Sequence, residues 1–216
     1  MKHKFVFIHI TKSAGTTFHW MLRPGRNILI QKGQQLLLGD PEYGKKLKID
    51  ETVLYHQYDT IRSGLPYQRF YYLKRKYGWK LITWIRDPIE RLISHYNHMV
   101  YRPGVGYVGK AKHKKEILKK VRKMDIVEFS KYANNFNVRF TGDNPKIFDF
   151  IGVVEEYGKS LKTFNKQFQC RIRLKEKENV HVWKKRVKVS EDVREELKQD
   201  HPKDYEFYNE VVKRYK

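Results

Sequence analysis

The chain has little of what builds disulfide frameworks or membrane spans. Cys170 is its one cysteine in 216 residues, which excludes an intrachain disulfide and a cysteine-based zinc site. No apolar run approaches the ~20 residues that a membrane-spanning helix needs. The N-terminal residues 1–4 lead directly into an apolar segment and leave no room for a secretory signal. We therefore expect a cytoplasmic protein in which Cys170 is a packed thiol.

Acidic residues are scarce as well. The chain carries 24 Asp and Glu against 46 Lys and Arg, which gives a formal net charge of +22. A surface this positive attracts anions, so nucleic acid, an anionic polysaccharide and an anionic nucleotide are all candidate partners. The alternative is that most surface lysines serve solubility alone. The length and an apolar content of 40% predict one domain, over residues 1–216, with a substantial core.

Apolar runs and helical patterns alternate along the chain. The sequence predicts strands at residues 4–10, 27–31, 52–55, 79–85, 148–154 and 180–182. It predicts helices at residues 16–23, 87–101, 110–123, 125–134, 157–168, 191–199 and 203–215, and a further helix is considered within residues 62–77. This alternation predicts an α/β fold with a largely parallel sheet.

Two of the predicted helices begin with capping-box patterns. Asp87 is placed to cap the first, Pro88 suits its first helical position, and Glu90 completes the box. Asp125 and Glu128 repeat the pattern at the second helix. We expect both boxes to fix the entry of the chain into these helices.

A strand, a short loop and a helix at the N-terminus carry the strongest functional signal. The apolar run 5–10 enters the loop Thr11–Thr17, which contains Lys12, Gly15 and several hydroxyls. This layout points backbone N–H groups and a helix N-terminus at an anion, so it predicts a site for a phosphate-like group. In a Walker A loop the lysine directly follows the second glycine and precedes a Ser or Thr, whereas here Lys12 comes before the loop's one glycine, Gly15. Another kind of phosphate loop, or a simple helix cap, is the alternative.

A second cationic motif follows the predicted strand 79–85. Arg86 stands at the strand's end, where ligand crevices of α/β folds lie, and Ser94 follows two helical turns later. A guanidinium and a hydroxyl suit the oxygens of a phosphate. The alternatives are a salt bridge from Arg86 to Asp87 or Glu90, and a helix contact for Ser94. Arg91 could contact phosphate or pair with a local carboxylate.

The two motifs together resemble the 5′-phosphosulfate loop and the 3′-phosphate motif of sulfotransferases that use 3′-phosphoadenosine 5′-phosphosulfate (PAPS). The loop departs from the family pattern at Thr11, where proline is usual, and at Ala14, where glycine is common. Neither change removes an N–H donor, so the cradle should survive. Further segments resemble the carbohydrate sulfotransferases of the heparan 2-O type and their bacterial relatives, at residues 54–59, 134–142, 150–161 and 204–208.

This resemblance implies a P-loop-like, three-layer fold with a mainly parallel central sheet flanked by helices. It implies PAPS as donor, 3′-phosphoadenosine 5′-phosphate (PAP) as product, a hydroxyl acceptor on a carbohydrate, and no metal. The residues expected to bind the nucleotide are Lys12, Ser13, Ala14, Gly15, Thr16, Thr17, Arg86 and Ser94.

Two residues are expected to carry the chemistry. Lys12 is assigned to the charge that grows on the leaving oxygen, because a lysine is a compact and mobile cation. His56 is assigned as the base, because the unperturbed pKa of histidine, about 6.5, suits proton transfer at neutral pH. His98 and Glu155 are the alternatives for the base. His9 is expected to pack or to orient a neighbour, and His19 and His95 are expected to be helix residues with ordinary surroundings.

Two other functions are alternatives. One is a P-loop nucleotide kinase or other phosphotransferase, against which the early lysine argues. The other is a non-catalytic nucleic-acid binder, which the basic stretch 110–123 and the aromatic residues of 67–77 would favour. The basic stretch could equally recruit an anionic acceptor or be a solvated helix face.

Overall fold

The structure is a computed structural model. It describes residues 5–22, 27–32, 52–57, 71, 74–101, 118–173 and 186–214, and of residues 16, 19, 20, 22, 27–32 and 52–57 it describes the backbone alone. The strands are β1 (Phe5–His9), β2 (Asn27–Lys32), β3 (Thr52–Gln57), β4 (Lys80–Ile85) and β5 (Phe150–Val153). The helices are α1 (Gly15–Leu22), α2 (Pro88–Tyr101), α3 (Ile126–Tyr132), α4 (Phe136–Thr141), α5 (Tyr157–Phe168), α6 (Glu191–Gln199) and α7 (Pro202–Val212), with a 3-10 turn at Pro145–Ile147.

The strands form one sheet in the order β2-β3-β1-β4-β5, and every pairing is parallel. In the centre of the sheet, Ile8 of β1 lies opposite His56 of β3 on one side and Thr83 of β4 on the other. The five described residues of β1 are all buried. Strands covered on both faces read as continuous apolar runs, which is why the sequence pattern identified β1 and β4.

Helices cover both faces of the sheet. Alternate residues of β1 point to opposite faces, so Val6 and Ile8 pack with residues of α4 and α7, whereas Phe7 packs with residues of α1 and α5. On the second face the rings of Phe7 and Phe18 meet edge to face, with centroids 5.3 Å apart. The predicted α/β fold with a parallel sheet flanked by helices is confirmed.

A third apolar cluster joins the helices beside the sheet. Leu92 of α2, Phe129 of α3 and Leu197 of α6 are all buried in it. This cluster fixes α6, which comes late in the chain, against the helix that follows Arg86. The residues on the solvent side of the α2–α6 contact are therefore held at defined positions relative to each other.

Helices α4 and α7 cap each other. The carboxylate of Asp204 in α7 accepts hydrogen bonds from the backbone N–H groups of Asn137 and Val138, at 3.0 and 2.9 Å. In return, the side-chain oxygen of Asn135 accepts hydrogen bonds from the backbone N–H groups of Lys203 and Asp204 at the start of α7. The first N–H groups of a helix have no intrahelical partners, and here a side chain at the start of each helix accepts hydrogen bonds from those of the other.

His201 adds a buried polar link between the same helices. Its Nδ1 accepts a hydrogen bond from the backbone N–H of Asn135 at 3.1 Å, so its Nε2 carries the proton and donates to Ser130 at 3.0 Å. Burial, followed by the charges of Arg91 and Arg139, lowers the pKa of His201 to about 3. This histidine is therefore neutral in the folded protein at physiological pH.

The described elements match most of the predicted ones within a few residues. Residues 74–77 and 118–121 are helical, within the predicted segments 62–77 and 110–123. The rest of those two segments and the predicted strand 180–182 lie outside the described residues. Helix α4 was not predicted as a separate helix, because its N-terminus is capped by Asp204 from far along the chain. The single domain over residues 1–216 stays a prediction.

The Asp125–Glu128 capping box forms as predicted, with hydrogen bonds in both directions. The Asp87–Glu90 box forms only in part: Asp87 caps the helix and Pro88 is its first residue, as predicted, but Glu90 does not complete the box. Asp87 does accept hydrogen bonds from the N–H groups of Ile89 and Glu90, each at 3.0 Å. However, the N–H of Asp87 donates to Glu155 at 3.1 Å, because the carboxylate of Glu90 contacts two arginines instead.

Candidate active site

The two cationic motifs follow the neighbouring strands β1 and β4, between which the order of strand connections reverses. From β1 the chain runs through α1 to β2 at one edge, and from β4 it runs through α2 towards β5 at the other edge. Adjacent strands whose connections leave in opposite directions open a crevice at their carboxyl ends. Because β1 and β4 pair directly, the loop with Lys12 and the residue Arg86 border the same crevice.

The loop after β1 has an unusual backbone. Lys12 and Ala14 have positive φ angles of 71° and 52°, and they flank Ser13, whose N–H donates to the carbonyl of Ile10 at 3.2 Å. Left-handed residues within a tight loop turn successive N–H groups towards one side, where they form a concave anion site. Helix α1 begins at Gly15 and adds its N-terminal N–H groups to that side.

Ala14 adopts the left-handed conformation without being glycine. For a residue with a Cβ atom this conformation costs roughly 1–2 kcal/mol. The left-handed conformation at Ala14 therefore has an energetic cost that a glycine at this position would not have.

Gly15 is required by a neighbouring side chain. A Cβ atom at Gly15 would lie 1.8 Å from Cδ2 of His9, which is buried at the end of β1. The imidazole ring thus packs against the backbone at the start of α1 and holds the loop against the strand. This agrees with the structural role predicted for His9.

Ser13 has a buried hydroxyl without a partner among the residues that the structure describes. Its side chain is fully buried, and among the described residues its hydroxyl makes no hydrogen bond. Burying a hydroxyl without a partner costs about 1–3 kcal/mol, and a ligand that accepted a hydrogen bond from it would remove that cost. The side chains of Lys12 and Thr17 are half-buried beside it. Of Thr16 the structure describes the backbone alone.

Arg86 lies between carboxylates. Its Nη2 is 3.4 Å from Glu90, one turn ahead in α2, and its Nε is 3.9 Å from Glu155, just after β5. The predicted alternative of a salt bridge to Glu90 is therefore present. Both contacts are long, and the guanidinium keeps access to solvent, so it can still turn towards an anion. Ser94, two turns into α2, is half-buried.

Glu90 also contacts an arginine that the sequence reading did not identify. Nη1 of Arg194 in α6 donates to Oε1 of Glu90 at 2.7 Å. Arg194 follows Ser190, the N-cap of α6, and nothing in its local pattern distinguishes it from other surface cations of this basic chain. The packing of α6 on α2 is what brings it to Arg86.

Comparison with known proteins now gives the family. A model described as "Sulfotransferase family" matches residues 1–210.

The chain belongs to the sulfotransferase family.

The predicted membership is thereby confirmed. Among solved structures, the sulfotransferase is similar to mouse sulfotransferase SULT7A1 complexed with PAP, with 14% sequence identity and a TM-score of 0.42. That alignment covers 81% of this chain and 60% of the mouse protein. Comparison with curated protein sequences gives no match.

Arg91 of this sulfotransferase is a buried cation. Its side chain is fully buried, its guanidinium lies 4.2 Å from the ring centroid of Phe136, and Nη1 lies 3.4 Å from Nδ1 of His95. Burial lowers its pKa to about 10, a value at which it stays charged at neutral pH. Among the described residues Arg91 contacts the ring of Phe136 and the imidazole of His95 rather than a carboxylate, and its contact with phosphate stays a prediction.

His95 is not in ordinary surroundings, contrary to the prediction. Its ring lies between Phe129 and Phe136, with centroids 5.5 and 5.2 Å away. Burial, with the nearby charges of Arg91 and Lys12, holds its pKa well below the usual range. Because Arg91 can only donate, Nδ1 of His95 accepts and the neutral ring carries its proton on Nε2.

The candidates for the base differ in what surrounds them. His56 lies near the carboxyl end of β3, beside β1, and its side chain lies outside the described part of the structure. His98 is buried in α2. Glu155 accepts hydrogen bonds from the N–H of Asp87 and from the hydroxyl of Tyr208, so both its oxygens are engaged.

The described residues contain neither a metal-binding cluster nor a helix that could span a membrane. No group of three or more His, Cys, Asp and Glu side chains within them is arranged to hold a metal ion. None of the helices in the same part of the chain combines the length and the apolar character needed to cross a membrane.

Proposed function

We propose that this sulfotransferase moves the sulfuryl group of PAPS to an acceptor hydroxyl on a carbohydrate. The single observation that carries the proposal is the position of two anion-binding motifs at the ends of the paired strands β1 and β4. One nucleotide with phosphate groups at both its 5′ and 3′ positions would span them. Family membership supports the reaction class, and the net charge of +22 suits an anionic donor.

The loop is proposed to bind the 5′-phosphosulfate. The loop's N–H groups other than that of Ser13, together with the start of α1, supply donors, and the buried hydroxyl of Ser13 supplies one that has no partner among the described residues. Thr16 and Thr17 stand in the first turn of the helix, where hydroxyls can add to the cradle. These features fit a phosphate group, because backbone N–H groups at a helix N-terminus and hydroxyl groups are donors that phosphate oxygens accept from.

Arg86 and Ser94 are proposed to bind the 3′-phosphate. The guanidinium offers a planar fork of donors, and the serine adds a hydroxyl from the same side of α2. Arg86 would exchange its long contacts with Glu90 and Glu155 for shorter ones to phosphate oxygens.

The chemistry requires a stabilised leaving group and a proton acceptor. Bound PAPS supplies an activated sulfuryl group whose bridging oxygen departs with the 5′-phosphate. Lys12 would hold the negative charge that develops on that oxygen, and His56 would take the proton of the acceptor hydroxyl. His56→Ala is expected to leave PAP affinity nearly unchanged and to lower turnover at least about a hundredfold. Unchanged turnover would remove His56 from the mechanism.

The carbohydrate acceptor is supported by the segments that resemble heparan 2-O-type enzymes. The test is incubation with labelled PAPS and a panel of polysaccharides, oligosaccharides and small alcohols, followed by mass spectrometry. We expect a sulfated sugar hydroxyl. A sulfated non-sugar acceptor would correct the acceptor class, and no transfer to any member of the panel, in a protein that binds PAP, would contradict the proposal.

The two alternative functions are tested by ligand binding. A sulfotransferase of this kind is stabilised against thermal unfolding by PAP without Mg²⁺, and much less by ATP. A kinase would show the reverse order with Mg²⁺ present. Steeply salt-dependent oligonucleotide binding, without sulfate transfer, would instead favour a nucleic-acid binder.

A further inference from the structure

Glu90 lies where a carboxylate is least expected. It comes four residues after Arg86 and four before Ser94, so the three side chains share one stripe along the start of α2. Arg86 and Ser94 are the two groups proposed to bind the 3′-phosphate. A carboxylate between them would repel a phosphate unless its charge were compensated or the side chain moved away.

Two arginines divide the oxygens of this carboxylate. Oε1 of Glu90 accepts from Nη1 of Arg194 at 2.7 Å, and Oε2 lies 3.4 Å from Nη2 of Arg86. The side chains of Arg86, Glu90 and Arg194 are 27%, 40% and 30% exposed, so the group is open to a ligand from solvent. Two guanidinium groups facing one anion are already arranged around a position that an oxyanion occupies.

A phosphate suits this position better than the carboxylate does. It carries more charge and more acceptor oxygens, and it can accept from both guanidinium groups at once. The contacts that it would replace are partly exposed ion pairs, which typically contribute little to stability. Exchange of Glu90 for a phosphate is therefore energetically reasonable.

We propose that Arg194 is the second guanidinium of the 3′-phosphate subsite and that Glu90 is an internal anion which the 3′-phosphate displaces. This proposal rests on the proposed function, because it assumes that Arg86 meets the 3′-phosphate. Its consequence is selectivity. A nucleotide without a 3′-phosphate leaves Glu90 in place and gains nothing from Arg194, whereas PAP replaces Glu90 and gains both arginines.

The first test compares two nucleotides by isothermal titration calorimetry. PAP carries the 3′-phosphate and adenosine 5′-phosphate (AMP) lacks it. Arg194→Gln is expected to weaken PAP binding about tenfold to a hundredfold, as loss of a charge-assisted hydrogen bond does, and to change AMP binding less than about twofold. An equal effect on both nucleotides, or no effect on PAP, would overturn the proposal.

The matched control is Lys198→Gln. Lys198 lies one turn further along α6 and pairs with Glu195, so this change removes the same charge from the same helix without affecting Glu90. PAP affinity should change less than about twofold. If the control weakened PAP as much as Arg194→Gln, the effect would be general electrostatics and the proposal would fail. If Arg194→Gln does not fold, Arg194→Lys replaces it, and a smaller but still PAP-selective loss is expected.

The second test asks whether Arg194 contacts the 3′-phosphate or only neutralises the charge of Glu90. Glu90→Gln removes the competing charge and should tighten PAP binding several-fold; unchanged or weaker binding would overturn the role of Glu90. In the Glu90→Gln background, Arg194→Gln should still weaken PAP about tenfold if the arginine contacts phosphate. If the second change then has no effect, Arg194 only neutralises Glu90 and the proposal is wrong.

Arg86→Ala distinguishes failure of this inference from failure of the proposed function. A loss of PAP affinity without a loss of AMP affinity confirms that Arg86 reads the 3′-phosphate, and the result for Arg194 then decides the inference alone. If Arg86→Ala weakens both nucleotides equally, or the unmodified protein binds no PAP, the proposed function itself is contradicted.

Discussion

The two ends of the proposed nucleotide site are built in different ways. The loop after β1 is made mainly of backbone, with left-handed residues at Lys12 and Ala14 and a helix start at Gly15. It adds the buried hydroxyl of Ser13, which has no partner in the described part of the chain. The site at the start of α2 is made of side chains, in which Arg86 and Arg194 face the carboxylate of Glu90. The first is preorganised for an anion, and the second already balances its charges.

Because the two ends are built differently, binding of an anion would require different rearrangements at each of them. At the loop, an anion satisfies donors that are already fixed, so little must move. At Arg86 a phosphate must replace carboxylate contacts, so affinity there is the difference between two sets of ion pairs. Changes in the loop should therefore affect the binding and chemistry of every 5′-phosphate nucleotide, whereas changes near Glu90 should act on 3′-phosphate recognition.

The largest expected effect is on chemistry at the preorganised end. Lys12→Ala removes the cation assigned to the leaving oxygen, so turnover at saturating PAPS should fall about 10²–10³-fold. The measurement is the single-turnover rate of label transfer to the acceptor identified by the panel. Arg86→Ala is the contrasting variant, since it should mainly weaken PAPS binding. Normal turnover of the Lys12→Ala variant would contradict the role of Lys12 at the leaving oxygen.

Low pH should lower the free energy of unfolding by protonating His201, which links the helices beside the Arg86 end of the site. Because the folded-state pKa of His201 is lowered to about 3, the unfolded chain binds one more proton between that value and about 6.5. Stability supplied by neutral His201 is therefore complete above about pH 6.5 and falls by about 1.4 kcal/mol per pH unit below it.

The measurement is the free energy of unfolding in urea between about pH 4 and pH 7. His95, whose pKa is also lowered, adds to the slope of the unmodified protein in the same direction. His201→Gln should reduce that slope by about one proton. An unchanged slope would show that His201 is not buried as a neutral ring.

Removal of the unused hydroxyl should separate binding from stability. Ser13→Ala removes a buried hydroxyl that has no partner among the described residues, so the free energy of unfolding should stay equal or rise, while PAP and AMP affinities both fall about tenfold. Ser130→Ala is the matched control, because its buried hydroxyl accepts from His201. It should lower stability and leave nucleotide affinity unchanged. The opposite pattern would show that Ser13 faces no ligand.

The smallest expected effect concerns the strained alanine. Ala14→Gly relieves the left-handed Cβ and should raise the free energy of unfolding by up to about 1 kcal/mol, after the entropy cost of glycine. Ala133→Gly is the control, because Ala133 has an ordinary φ of −105° and should lose stability. Equal losses in the two variants, measured by urea unfolding, would contradict the loop geometry.

Local patterns in the sequence predicted the elements and the two motifs. The buried runs of β1 and β4 and the periodicity of α5 need only neighbouring residues to be recognised. The order of the strands then placed Lys12 and Arg86 at one crevice, which the separate motifs could only suggest.

What the sequence reading missed depends on contacts between distant residues. Glu90 satisfies the local rule for a capping box, but Arg194, brought beside it by packing of α6, competes for its carboxylate. Helix α4 starts where Asp204 supplies its cap, and His95 is buried by helices that no local pattern places against it. Such contacts are set by tertiary packing, so local propensity cannot reveal them.

The most direct measurement of the central claim is a crystal structure of the protein with PAP. We expect one nucleotide across the crevice between β1 and β4, with its 5′-phosphate at the loop Thr11–Thr17 and its 3′-phosphate at Arg86. A nucleotide bound elsewhere, or one whose 3′-phosphate lies away from Arg86, would contradict it.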